Sequence, residues 1–367
     1  MEELGLEAQV ALVCEAPLSR RAELIGLAPS PEALVPELPE AELCFVLKQL
    51  GLRDCGWLLD LATNQQITSA VDLDVWNHNE LDRVQLETWL DALADASEET
   101  LLRAAQSLDP ELLVLHLRSR IQVVLKPSDS EDPGWEPPPG FQSLEGQFYF
   151  APLDPGDDPE VELALLRVLF QHDYWTYFRF MQGAIWELDP ENEEWALRWR
   201  TGRLQDLGFP EWSESVAIYR FLPPAERSLI PTGEKPLQTP GFALAMWLPG
   251  LPAGVDDRFP IFRAISELDP EERQGAFFAF VGLANRIAVA DGFALSDAES
   301  LPRAIEKAAR FASHGLEFLC RENALSELEV VRQVSIARMF QVGANLDPAS
   351  ARPPRVQADD DSEVPAD

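Results

Sequence analysis

At 367 residues the chain exceeds the roughly 250–300 at which a single hydrophobic core stops growing, so two packed units are expected. Its 46% hydrophobic and 25% charged residues exclude a wholly disordered protein. The 63 acidic residues against 29 basic ones give −34, a surface that repels phosphate and excludes nucleic acid and anionic membrane as expected partners.

Met1-Glu2-Glu3-Leu4 offers neither the basic nor the apolar part of a secretory signal, so export is not expected. The cysteines, Cys14, Cys44, Cys55 and Cys320, form no Cys-x-x-Cys pair and read as reduced thiols of a cytoplasmic protein. From Pro39 onward, short amphipathic helices are expected. Leu43, Val46, Leu47 and Leu50 fall at helical spacing before Gly51, and Asp54 precedes Trp57, Leu58 and Leu61. Thr63-Asn64 caps a helix over 65–71, and further helices are predicted over 83–93 and 98–107. Helices this short are marginal alone, so residues 1–125 read as a solenoid-like stack.

Residues 126–158 are rich in proline and acid and read as a linker, flanked by the alternating Ile121, Val123 and Leu125 and by Phe148 and Phe150 as a small β-ribbon. A second helical unit is predicted over 159–346, opening on a helix whose aromatic run, Tyr174-Trp175 and Tyr177-Phe178, is expected in the core. Its later helices are expected over 189–207, 213–221, 270–290, 298–314 and 326–340. Residues 347–367 read as a disordered acidic tail. The fold class is therefore mainly α, two helical units with a small β-ribbon at their boundary. Leu-Asp-Pro-Glu recurs at Leu108, Leu188 and Leu268, with Leu-Asp-Pro again at Leu346, which reads as a repeated helix start with Asp as N-cap and Pro in the first turn.

No phosphate-binding, dinucleotide, nucleophile-elbow or zinc-hydrolase motif occurs, so no catalytic residue is singled out and no cofactor is expected. Asp74, His78 and Asp82 fall at i, i+4 and i+8, yet an EF-hand fails at Trp76 and Asn77, and no metal is expected there. Arg198, Arg200 and Arg203 form a candidate anion-binding cluster, with Glu194 and Arg198 spaced for a helical ion pair. Pro236 to Val255 carries no charge, and four prolines forbid a membrane helix. Its Phe242, Met246, Trp247 and Leu251 are candidate partner-binding residues.

The segments Leu38-Pro39 to Gly51-Leu52, Asp72 to Trp76, Trp195 to Pro210 and His314 to Glu317 together resemble a bacterial family catalogued only as a domain of unknown function. That resemblance extends to about Gly343 and implies no activity. Leu34 to Leu73 more loosely resembles the stacked helices of MgtE-type magnesium channels and of the flagellar switch protein FliG, which implies an interaction or regulatory module. The expected function is a cytoplasmic protein–protein interaction or scaffold protein with a partner of basic character and no membrane insertion. The alternatives are an enzyme of unrecognised class with a carboxylate and arginine pocket, and a sensor of an anionic small molecule.

Overall fold

A computed structural model describes residues 1, 4–128, 132, 134–154, 156, 158–230 and 259–351. These fall into two compact units, one running to Leu207 and one beginning at Gly208. The fold is mainly α. Phe242, Met246, Trp247 and Leu251 lie outside the described residues.

The first unit opens with α1 (Leu6–Glu15), α2 (Leu18–Gly26) and the single turn α3 (Pro31–Leu34), followed by α4 (Glu40–Leu50), α5 (Gly56–Leu61) and α6 (Asn64–Asp74). Helix α4 is buried from Ala41 through Leu47, packing on α2 and α6, so even Glu42 is enclosed and meets Arg21 of α2. It ends at Gly51, whose φ of 89° favours a residue without a Cβ. Thr63 and Gln66 form a reciprocal capping box at the start of α6. The same Gln66 side chain donates to the carbonyls of Val35 and Leu38 at 2.8 Å, tying that cap to the segment before α4.

A two-residue hairpin, β1 (Trp76–Asn77) and β2 (Glu80–Leu81), leads into α7 (Arg83–Asp95), α8 (Glu98–Ser107) and α9 (Pro110–Arg120). Strand β3 (Ile121–Leu125) then pairs antiparallel with β4 (Phe148–Pro152), Ile121 opposite Pro152 and Leu125 opposite Phe148. This is the ribbon read from the alternation of Val, Ile and Phe. After it come α10 (Glu160–His172), α11 (Tyr174–Trp186) and α12 (Asp189–Asp206). These three return to the preceding helices: α10 packs on α7 and α8, α11 on α9, and α12 on α9 and α6. The compact division therefore falls after Leu207, later than the proline-rich 126–158 stretch, because the β3–β4 pairing brings the chain back to the same unit. His116 of α9 and Glu162 of α10 meet inside it at 2.8 Å, both almost fully buried.

The second unit contains α13 (Trp212–Val216), α14 (Pro224–Arg227), α15 (Pro260–Ser266), α16 (Pro270–Ala290), α17 (Ser300–Asn323), α18 (Glu327–Gln333), α19 (Ile336–Leu346) and the turn α20 (Pro348–Ala351). The helix expected over 326–340 is two. Ser335 caps α19 by accepting from the Arg338 amide, and Val334 before it is extended. The core lies where α16, α17 and α19 pack. There Gly315 of α17 and Gly343 of α19 bring two helix backbones into direct contact. The expected tail begins in order, with Ala351 buried, and residues 352–367 lie outside the described ones.

Candidate interaction surface

Helix α12 starts at Leu188-Asp189-Pro190, where proline has no amide to lose and acidic residues face the positive helix end. Asn192, Ala196, Arg200 and Leu204, four residues apart, form its buried face. Arg200 donates from Nε to the Asp72 carbonyl at 2.8 Å and from Nη1 to the His78 carbonyl at 3.3 Å, and lies 5.4 Å over the Trp76 ring. Asp72 is in the last turn of α6, where carbonyls lack intrahelical donors, so Arg200 caps that helix. Burial pushes the Arg200 guanidinium down to about 10, which leaves it charged at neutral pH.

Arg203 forks onto two carboxylates at once. Its Nε and Nη2 reach Asp72 at 2.6 and 2.9 Å, and its Nη1 and Nη2 reach Asp109 at 2.8 and 2.6 Å. Burial opposes its charge, but the two carboxylates outweigh that and hold the guanidinium above its ordinary range. At the other end of the helix, Arg118 of α9 donates to Asp189 at 2.6 Å and to the Ala184 carbonyl at 2.8 Å. Two Leu-Asp-Pro starts thus clasp each other. Asp109 opens α9 and holds the end of α12, while Asp189 opens α12 and is held by the end of α9. The expected N-cap hydrogen bonds are not what these aspartates make, since their carboxylates go to arginine instead.

This arrangement divides the candidate anion-binding cluster of Arg198, Arg200 and Arg203. Successive positions on a helix turn by about 100°, so Arg200 and Arg203 share the inner face and Arg198 points away from both. The inner two are occupied by the protein's own oxygens. Arg198 lies 5.2 Å over the Trp195 ring instead of pairing with Glu194. Asp74, His78 and Asp82 do not share a helix face either. Asp74 ends α6 and accepts from Lys48, Gln85 and Trp89, His78 sits in the β1–β2 turn at φ 56°, and Asp82 caps α7. Among the described residues, no group of three His, Cys, Asp or Glu is placed to hold a metal ion.

The outward face of α12 is aromatic. Trp195 and Trp199 are 46% and 51% exposed, with near-parallel rings 6.0 Å apart. Helix α11 continues the pattern: Trp175 and Trp186 are 76% and 56% exposed and, eleven residues apart, share one stripe. The aromatic run expected in the core is therefore divided, with Tyr177 fully buried and Trp175 largely open to water. Wheel positions alone carried that signal, because Trp175 and Tyr177 differ by about 200° on a helix.

Exposed Glu191 and Glu194 flank the α12 stripe, and Gly202 lies within it. A Cβ at Gly202 would meet nothing within 4 Å. Gly202→Ala is expected to stabilise the protein by about 0.5–1 kcal/mol, the helix-propensity difference, as read from urea unfolding. A loss of stability would show that the fold itself requires glycine there.

No helix among the described residues is long and apolar enough to cross a membrane. A protein-family model described as a family of unknown function matches residues 1–347. No curated protein and no solved structure matches the chain.

Proposed function

The chain belongs to that family, DUF6178, from which no activity can be carried over, and we propose from its own surface that it is a cytoplasmic scaffold that binds another protein through α12. The observation that carries this reading is the exposed Trp195–Trp199 pair on a helix whose opposite face is fixed by Arg200 and Arg203. Tryptophans held on a rigid element are the residues that dominate protein interfaces, because they bury a large area at little cost in side-chain entropy. The four cysteines are free, which fits a reducing compartment. The anion-sensor reading loses its basis with the two inner arginines already paired.

Trp195→Ser/Trp199→Ser tests the proposal. Because both rings are about half exposed, unfolding stability is expected to fall by about 2–3 kcal/mol, less than the 5–15 kcal/mol that typically holds a domain folded. Affinity for a partner captured by cross-linking in the native host is expected to fall by about 2 kcal/mol, roughly thirtyfold in Kd. Unchanged affinity in a folded variant sinks the assignment of α12 as the contact.

A further inference from the structure

The α12 surface also carries a charge pattern and a gap. On a helix, Trp195, Trp199, Gly202 and Asp206 lie within an arc of about 60°, and Glu191, Arg198 and Glu194 occupy the arc beside it. Glu191, Glu194 and Asp206 are exposed carboxylates against the single exposed guanidinium of Arg198. Arg198 over Trp195 shows within the protein how an indole on this face receives a cation. Gly202 is a second, independent feature. A mid-helix glycine weakens a helix, yet no neighbouring atom within 4 Å of a Cβ here demands it. Its missing side chain leaves a break in the stripe where another chain can approach the helix backbone closely.

Resting on the proposed binding role of α12, we infer that its occupant is a basic segment of the partner, with an arginine or lysine side chain over the Trp195 and Trp199 rings. Its aliphatic part lies across Gly202, and Glu191, Glu194 and Asp206 hold its remaining positive charge. The chain's net charge of −34 steers such a segment toward the protein at long range.

Two amphipathic helical peptides serve as probes on the full chain, one of arginine and leucine and one with glutamate in place of every arginine, with binding read by calorimetry. The arginine peptide is expected to bind at low salt and to weaken as salt is raised. Gly202→Gln, which fills the gap with a good helix former and so preserves folding, is expected to weaken it by about tenfold or more. Arginine-peptide affinity unchanged by Gly202→Gln means attraction to acidic surface elsewhere, and overturns the inference. If the glutamate peptide binds equally and with the same sensitivity to Gly202→Gln, the basic character is wrong while α12 remains a docking face. If neither peptide binds, the inference fails, and the separate Trp195/Trp199 experiment still decides whether α12 docks a protein. A dimer in sedimentation that Gly202→Gln dissociates makes the occupant a second copy of this chain, which also overturns it.

Discussion

Replacing Arg203 by leucine is expected to destabilise the first unit by about 3–5 kcal/mol at neutral pH, a large part of the 5–15 kcal/mol typical of a whole domain. The reason is what remains behind. Asp72 and Asp109 have side chains 2% and 8% exposed, and Arg203 is the guanidinium both of them share. Without it, two carboxylates face each other away from water, with Arg200 engaged at the Asp72 carbonyl and not at its carboxylate. Arg203 is itself 32% exposed, so water entering the gap places the expected loss toward the lower end of that range. Lysine at this position keeps the charge but cannot fork onto two carboxylates, and an intermediate loss is expected.

The pH dependence supplies an internal check. Burial already raises Asp72 above the ordinary carboxylate range, with Arg203 pulling the other way. Removing the arginine raises it further, so the folded variant binds a proton at a pH where the unfolded chain does not. Folding then gains stability as pH falls through the folded-state pKa, and the gain is complete below the unfolded value. The deficit of Arg203→Leu relative to the parent should therefore narrow between neutral pH and about pH 5. A urea-derived loss below about 1 kcal/mol at neutral pH, or a deficit that widens on acidification, contradicts this account.

Helix starts were legible in the sequence because they depend on local chemistry: Thr63 before α6, and proline in the first turn of α9, α12 and α16, act within one turn. What the Leu-Asp-Pro aspartates do was not legible, since Asp109 meets an arginine 94 residues away. The division of the arginine cluster has a different cause. Adjacency along the chain is not adjacency in space, and helical geometry separates Arg198 from the other two. Tryptophans at 175, 186, 195 and 199 are apolar by composition, and only the packing of α11 and α12 on α9 decides which side of each helix meets water. Helices α1 and α2 went unpredicted, and the break before Ser335 was lost inside a continuous helical pattern.

Gly315→Ala and Gly343→Ala are each expected to cost about 3 kcal/mol or more, the opposite sign from Gly202→Ala although all three glycines are helical. A Cβ on Gly315 would lie 1.9 Å from the Met339 carbonyl oxygen, and one on Gly343 would lie 1.9 Å from that of Phe311. The contact is reciprocal: each glycine sits four residues after the residue whose carbonyl faces the other glycine. Real Cβ atoms essentially never come within 3.0 Å of another heavy atom, so α17 and α19 must part by about 1 Å, and no side-chain rotation relieves a clash with backbone. That separation loosens the layer around the crossing, where Phe311 and Phe340 meet edge to face at 5.8 Å, and a gap of this size forfeits about a quarter to a half of each dispersion contact. The helix-propensity gain of about 0.5–1 kcal/mol offsets only part of the loss. Because both substitutions open the same crossing, the double variant should cost less than the sum of the singles, the second methyl entering space the first has already made. Urea unfolding of the two single variants and the double decides the matter. Stabilities near the parent's would mean that α17 and α19 do not approach this closely, and strict additivity would mean that the two glycines do not share one contact.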